Sequence, residues 1–367
     1  MISGIILAGG RSTRMEKEKG LNHFRGKPLI LHVIENIRPV CDEILICTNN
    51  HEYDSLGYKV IPDEIQGAGP AGGILSGLKR SKNSHCLILS CDLPFASARF
   101  IQKIDFHSPE KEITVCFHDD RLQPLCGFYD SSITENFGQK VRSGMYKMQE
   151  LVKSFDFQAI HQIDMIEFPF EYYLKNFNSK HDIIKIERTK VFILTGPKNG
   201  GKTTFLGKII DILDKTGKKY TGIGTRAILE NNIKTGFNLI DLKSRTEHLL
   251  CTVKDVPGWM KSGKFYFDPA VLKEGNDIIS PGKAINIDLV IIDEFGPLEI
   301  TGGGWRNGID KLLRKSDQKL LIVIRDEILT EAYQAFKDHS CQILNIKDLV
   351  SPESACSYIL ESSDQGN

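Results

Sequence analysis

The eight residues Gly196-Pro197-Lys198-Asn199-Gly200-Gly201-Lys202-Thr203 constrain this chain more than any other stretch. They fit the pattern G-x-x-x-x-G-K-[ST], and their surroundings supply the context that the pattern needs. An apolar run over residues 191–195 reads as a buried strand leading in, and helical spacing follows. Strand, glycine turn and helix in that order belong to a parallel α/β sheet that binds ligands at the carboxyl ends of its strands. Glycines let consecutive backbone N–H groups close around a phosphate, and the helix N-terminus adds a favourable dipole. Lys202 then reaches the β- and γ-phosphates of ATP or GTP, and Thr203 ligates Mg²⁺. Gly196, Gly201 and Thr204 complete the nucleotide-binding set. Further on, the apolar run Val290-Ile291-Ile292 ends in Asp293-Glu294. Asp293 is placed to hold the Mg²⁺ through water, and Glu294 to polarise the attacking water.

The phosphate loop begins just past the middle of 367 residues, a length about twice the usual domain size of about 150 residues. Two domains are expected, at 1–186 and 187–367. A charged stretch over residues 180–190 precedes the restart of strand, loop and helix. Later strands are expected at 289–292, 320–324 and 342–344. Ser351-Pro352-Glu353 reads as an N-cap with proline at the first helical position, opening a last helix to about residue 361.

In the first half, strands at 5–7, 43–48 and 86–90 alternate with helical spacing after Pro28 and over residues 71–78. This again predicts a parallel α/β sheet. Leu7-Ala8-Gly9-Gly10-Arg11-Ser12-Thr13-Arg14-Met15, followed by Lys19, is its most informative string. Gly9 and Gly10 give the backbone freedom to form an anion nest, and Arg14 and Lys19 bring charge for a triphosphate. Cations beside the α- and β-phosphates suit attack at the α-phosphorus with pyrophosphate leaving.

Composition excludes other classes. Lys plus Arg equals Asp plus Glu at 47 each, so no global field attracts a polyanion and nucleic acid is not an expected partner. The nine cysteines are scattered without zinc spacing, which predicts reduced thiols and a cytoplasmic protein. Cys86 and Cys91 read as small core residues. The N-terminal apolar run is too short for a signal segment, and no stretch approaches the roughly 20 apolar residues of a membrane span.

Two resemblances sharpen these readings. The string from Leu7 to Lys19 resembles the L-A-G-G-x-S-x-R-M-G-x-D-K signature of the molybdenum cofactor guanylyltransferase (MobA) family. The resemblance continues in order through Asn49, Pro62-Asp63, Gly69-Pro70-Ala71-Gly72-Gly73-Ile74, Cys91-Asp92-Leu93-Pro94-Phe95, Gln123-Pro124-Leu125 and Asn176-Phe177-Asn178-Ser179. It implies a Rossmann-like nucleotidyltransferase domain that passes GMP from GTP to molybdopterin. By this resemblance Leu7, Ala8 and Gly9 read the base, and Asn49 and Asp63 contact the nucleoside. Asp92 holds Mg²⁺, and Asn176 and Asn178 lie near the acceptor or metal. Arg14, Lys19 and Asp92 are then the catalytic residues. Glu16 and Glu18 depart from the family's Gly and Asp. Leu-Ala-Gly-Gly, where the cytidylyl-transferring relatives have L-A-A-G, favours guanine. The resemblance leaves open CTP, another phosphorylated acceptor, or a GTP-binding adaptor that delivers cofactor. Molybdoenzymes or other proteins of cofactor biosynthesis are the implied protein partners.

Asp293-Glu294-Phe295-Gly296-Pro297-Leu298-Glu299 resembles the D-E-[hydrophobic]-G-P-L-E signature of the thermophile-type nucleoside-triphosphatase family, with Phe295 in place of Ile. The likeness covers most of residues 190–347, including Gly224-Thr225-Arg226 and the Gly236-Phe237 turn. It implies a P-loop NTPase α/β domain with Glu294 as a catalytic residue. Arg226 is expected either to contact phosphate or purine or to cap a loop. The adaptor that accompanies molybdenum cofactor enzymes also has a phosphate loop, but its Lys-His motif is absent here.

Overall fold

In the computed structural model, residues 1–9, 18–108, 111–284, 286–315, 318–349 and 351–361 are described. The chain divides into two compact units, Met1–Ile184 and Lys185–Asn367.

The first unit is built on β1 (Ile2–Leu7), a small hairpin of β2 (His23–Phe24) and β3 (Lys27–Pro28), then β4 (Glu43–Cys47), β5 (Lys59–Ile61), β6 (His85–Ser90), β7 (Ile113–His118), β8 (Arg121–Asp130) and β9 (Phe157–Ile160). Seven of them form one sheet in the order β5-β4-β1-β6-β8-β7-β9. β1 runs parallel to β4 and β6, whereas β8 is antiparallel to β6 and β7. The sheet is therefore mixed, which corrects the all-parallel expectation. Within Arg121–Asp130 the first half alternates between buried and less buried positions before the buried run from Cys126 to Tyr129, as a partly solvated antiparallel strand does.

From β1 the chain moves outward to β4 and β5, then returns to lay β6 on the other side of β1. That reversal opens a crevice at the carboxyl ends of β1 and β6, where open α/β sheets take their ligands. The helix Pro70–Arg80 packs over β1 unusually closely. A Cβ at Gly77 would sit 2.5 Å from Ile5 Cγ2, and one at Gly73 would sit 3.1 Å from Leu7 Cδ2. These glycines serve close approach, bringing the helix down onto the strand that feeds the crevice.

The second unit comprises β10 (Val191–Gly196), β11 (Tyr220–Glu230), β12 (Ile233–Asp241), β13 (Glu247–Thr252), β14 (Met260–Ser262), β15 (Phe265–Phe267), β16 (Leu289–Asp293), β17 (Lys319–Arg325) and β18 (Cys341–Asn345). Their order is β14-β15-β13-β12-β11-β16-β17-β10-β18. The stretch from β11 to β18 is parallel, with β10 and β16 separated by β17. β16 and β17 are buried almost throughout, the pattern of strands covered on both faces. Beyond β11 lies an antiparallel extension, β12 to β15. The last helix spans Pro352–Glu361 and closes over the helix Lys202–Lys215.

Candidate nucleotide sites

In the first unit, β1 ends in Leu7 and is followed by Ala8, both buried, and then by exposed Gly9. Ala8 N donates to Cys47 O at 3.0 Å and Cys91 N donates to Leu7 O at 3.1 Å. The start of the loop is thus strung between the ends of β4 and β6. Gly9 has no left-handed φ, and a Cβ there would meet nothing within 4 Å. The conformational freedom expected of Gly9 is therefore not used; the space before it is open instead. Gly10 and Arg14 lie outside the described residues, as does Glu16.

On the β4 side, Asn49 Oδ1 accepts from Asp63 N at 2.9 Å and Asn49 Nδ2 donates to Asp63 Oδ2 at 3.3 Å. Burial pushes the Asp63 carboxyl up, and the Asn49 bond partly offsets this. On the β6 side, Lys19 Nζ lies 3.3 Å from Asp92 Oδ2 and donates to Asn178 Oδ1 at 2.9 Å. Ser90 Oγ donates to the other Asp92 oxygen at 2.5 Å. The Asp92 side chain is only 7% exposed, so its carboxylate is held by partners rather than by water. Glu18, next to Lys19, has its carboxyl pushed up by partial burial and then by Glu52.

An aromatic cluster sets this geometry. Phe177 is fully buried and packs at 5.2 Å from Phe24 and 5.4 Å from Phe95. Its backbone N–H donates to Asp92 O at 3.0 Å. The apolar ring anchors the segment, and the residues on either side are delivered to the polar crevice. Asp182 Oδ2 accepts from Asn178 N at 3.0 Å and from Ser179 N at 2.8 Å, fixing the turn. Asn176 is not beside Lys19 in this way; it bonds weakly to Leu174 O and lines a cavity of about 260 Å³ with Leu93, Gln123, Leu125 and Gln149. Sequence reasoning passed over Ser90 and Asp182. Ser90 ends β6 two residues before the acid, and that spacing was its only signal.

In the second unit the loop after β10 turns through Asn199 and Gly201, with φ of +59° and +91°. Lys202 is 8% exposed and donates to Gly196 O at 3.0 Å and Pro197 O at 2.9 Å. Thr203 and Thr204 stand exposed on the first turn of the helix that Lys202 opens. Asp293, at the end of β16, is 8% exposed. Its carboxyl is pushed up to about 7, chiefly by burial and then by Glu294, against the Thr203 hydroxyl and Lys202, which lower it. Glu294 Oε1 lies 2.5 Å from Arg325 Nε at the end of β17.

Glu299 is buried, accepting from Gly296 N at 2.8 Å and Trp305 N at 3.2 Å, and burial pushes its carboxyl up to about 7. It shapes the loop behind Asp293 and Glu294. Arg226 pairs with Glu247 across the antiparallel extension, and Asn238 Nδ2 donates to the same carboxylate at 3.2 Å. Its strand runs on past Gly224, the partner of Asp293, which carries Arg226 onto an exposed ribbon.

Residues 4–156 match the family model described as MobA-like NTP transferase domain. A protein of Flavobacterium johnsoniae described as a probable molybdenum cofactor guanylyltransferase is 37% identical over 183 residues, covering 50% of this chain and 94% of the relative. The chain belongs to the MobA-like NTP transferase family. Residues 191–349 match the family model described as NTPase, so one chain joins a nucleotidyltransferase domain to an NTPase domain. Among solved structures, molybdopterin-guanine dinucleotide biosynthesis protein A of Archaeoglobus fulgidus has a TM-score of 0.44 at 19% identity, over 50% of this chain and 95% of its own. A human cancer-related nucleoside triphosphatase has a TM-score of 0.37 at 19% identity, over 48% of this chain and all of its own. No helix among the described residues is long and apolar enough to cross a membrane.

Proposed function

We propose that the first unit transfers GMP from GTP to molybdopterin with release of pyrophosphate, and that the second hydrolyses ATP or GTP. The functional boundary in this reading is residue 187, close to where the compact units part. The observation that carries the transferase reading is the meeting of Lys19, Asp92 and Asn178, with Asp92 following Cys91, whose N–H bonds to Leu7 O at the end of β1. A cation, a carboxylate and an amide converge at the carboxyl ends of β1 and β6, the place where such a sheet binds nucleotide.

The donor sets suit Mg²⁺. Among the described residues no three His, Cys, Asp or Glu side chains gather as a metal cluster, but Mg²⁺ takes one or two carboxylates and completes its shell with phosphate oxygens and water. Asp92 would hold it in the first unit; Asp293 and Thr203 would hold it in the second. When bound, it neutralises phosphate charge and stabilises the departing oxygen.

The residues of the chain do the rest. Leu7, Ala8 and Gly9 line the base side with Asn49 and Asp63, and Lys19 offsets charge on the α- and β-phosphates. Arg14 is proposed to share that task. The terminal phosphate oxygen of the acceptor forms a bond to the α-phosphorus, the bond from that phosphorus to the bridging oxygen breaks, and pyrophosphate leaves. Positioning and charge stabilisation supply the catalysis. A molybdoenzyme or another protein of cofactor biosynthesis is the partner this reading implies. The free thiols, nearly all buried, suit a reducing cytoplasm.

The test is incubation of the full chain with Mg²⁺, molybdopterin and either GTP or CTP, with the product identified by mass. Acceptor-dependent pyrophosphate and a guanylated acceptor support the proposal. Transfer from CTP alone, or to a different phosphorylated acceptor alone, overturns its specificity, and tight GTP binding without any transfer turns the reading to an adaptor.

A further inference from the structure

The tip of β17 carries two neighbouring residues of opposite charge, and each ties down a different strand. Asp326 Oδ1 accepts from Thr195 Oγ1 at 2.7 Å and from Asn345 Nδ2 at 3.3 Å, holding β10 and β18. Arg325, on the other side, meets Glu294 at the end of β16. In the parallel register Arg325 is the partner of Gly196, the first residue of the phosphate loop. Val323, two residues earlier, is the partner of Asp293 and accepts from Phe295 N at 2.9 Å. Arg325 is thus the backbone neighbour of the first residue of the phosphate loop, while its guanidinium meets the carboxylate that would act on water.

We propose that Arg325 is the positioning residue of the triphosphatase, selecting the Glu294 rotamer that faces the γ-phosphate. The inference rests on the reading of the second unit as a triphosphatase. Hydrolysis there forms a bond from the water oxygen to the γ-phosphorus and breaks the bond from that phosphorus to the β–γ bridging oxygen. The water proton passes to Glu294, and the nucleoside diphosphate leaves. Such a base must be held along the line of attack, and an unpaired glutamate samples several rotamers. The Glu294 and Arg325 side chains are 34% and 32% exposed overall, but the facing atoms Oε1 and Nε are shielded from water and neither makes a hydrogen bond among the described residues, so their contact is an ion pair held by charge beside the reacting group. A planar guanidinium fixed at the end of a buried strand supplies direction, which a flexible lysine supplies less well.

The test is steady-state phosphate release by the full chain with Mg²⁺ and GTP or ATP, comparing wild type, R325A, R325K, E294Q and R325A/E294Q. Nucleotide affinity is measured alongside, as a check of fold and binding. K202A assigns the hydrolysis to this unit. R325A is expected to lower kcat by about 10- to 100-fold, less than the roughly 10²–10⁴-fold that loss of the base itself would cost, with KM changed less than about twofold. R325K is expected to fall between R325A and wild type. In the E294Q background, R325A is expected to cost less than about a further twofold, because the two act as one unit. Wild-type kcat in R325A, a rise in KM at unchanged kcat, or losses that multiply in the double variant would each overturn the proposal. Should R325A lose nucleotide binding, R325K decides by the same criteria. A wild-type chain that releases no Lys202-dependent phosphate removes the triphosphatase reading itself, and the inference falls with it. Hydrolysis that is unaffected by R325A removes the inference alone.

Discussion

Lys19 Nζ stands 2.9 Å from Asn178 Oδ1, although 159 positions separate them in the chain. The contact closes because Gly20 lets Lys19 approach Asp92 from one side, while buried Phe177 presses Asn178 in from the other. Lys19→Met is expected to lower kcat/KM for pyrophosphate release from GTP by about 100-fold, the scale of one preorganised charge contact. Asn178→Ala is expected to cost about tenfold, and the double variant less than the product of the two. Multiplicative losses would show that the two residues act separately.

Gly20 is predicted to be irreplaceable for reasons of space. A Cβ there would lie 2.7 Å from Tyr53 Oη, and Tyr53 is fully buried. Gly20→Ala should lose about 1–3 kcal/mol in denaturant unfolding, as overpacked cores do. Adding Tyr53→Phe, which removes the oxygen, should restore part of the loss. No recovery would locate the strain elsewhere.

Gly9 should behave in the opposite way. With open space around its missing Cβ, Gly9→Ala is expected to change the melting temperature by less than about 2 °C. GTP affinity measured by titration should nevertheless fall, because the added methyl fills the space before the loop. Unchanged affinity would place the base elsewhere.

The second unit should lose stability as pH rises when Mg²⁺ and nucleotide are absent. The Asp293 carboxyl goes from an ordinary 3.8 to about 7 in the folded unit, through burial first and Glu294 second. Below pH 3.8 both states are protonated and nothing is lost. Between 3.8 and 7 the unfolded chain gives up its proton while the native one holds it, so stability falls with pH until the native group also ionises. Both tryptophans, Trp259 and Trp305, lie in this unit, so tryptophan fluorescence follows its melting. Asn at position 293 cannot titrate. The melting temperature of wild type relative to Asp293→Asn should therefore fall from pH 4 to pH 8. A constant difference would contradict the buried, protonated Asp293.

Much of this was legible because strands and their loops are local. The phosphate loop and the Asp293-Glu294 pair could be placed from strand, glycine and acid in sequence, and the Leu7 and Asp92 strings from strand ends followed by loops. What the sequence did not reveal depends on partners distant in the chain. β8 reverses direction through pairings with β6 and β7 that no local pattern records. The ribbon from β12 to β15 was missed, and Gly236-Phe237 was read as a turn although it lies within β12, because these strands are largely exposed and lack long apolar runs. Arg325 gave no motif signal. Its meaning comes from the register of β17 between β10 and β16, where Gly196 and Glu294 flank it.

The most direct test of a two-function chain is to measure pyrophosphate and free phosphate separately from Mg²⁺, GTP and molybdopterin, using wild type, Asp92→Ala and Lys202→Ala. The account predicts that Asp92→Ala abolishes acceptor-dependent pyrophosphate and keeps phosphate release, while Lys202→Ala does the reverse. Full pyrophosphate release in Asp92→Ala, or loss of both products in either variant, would contradict it.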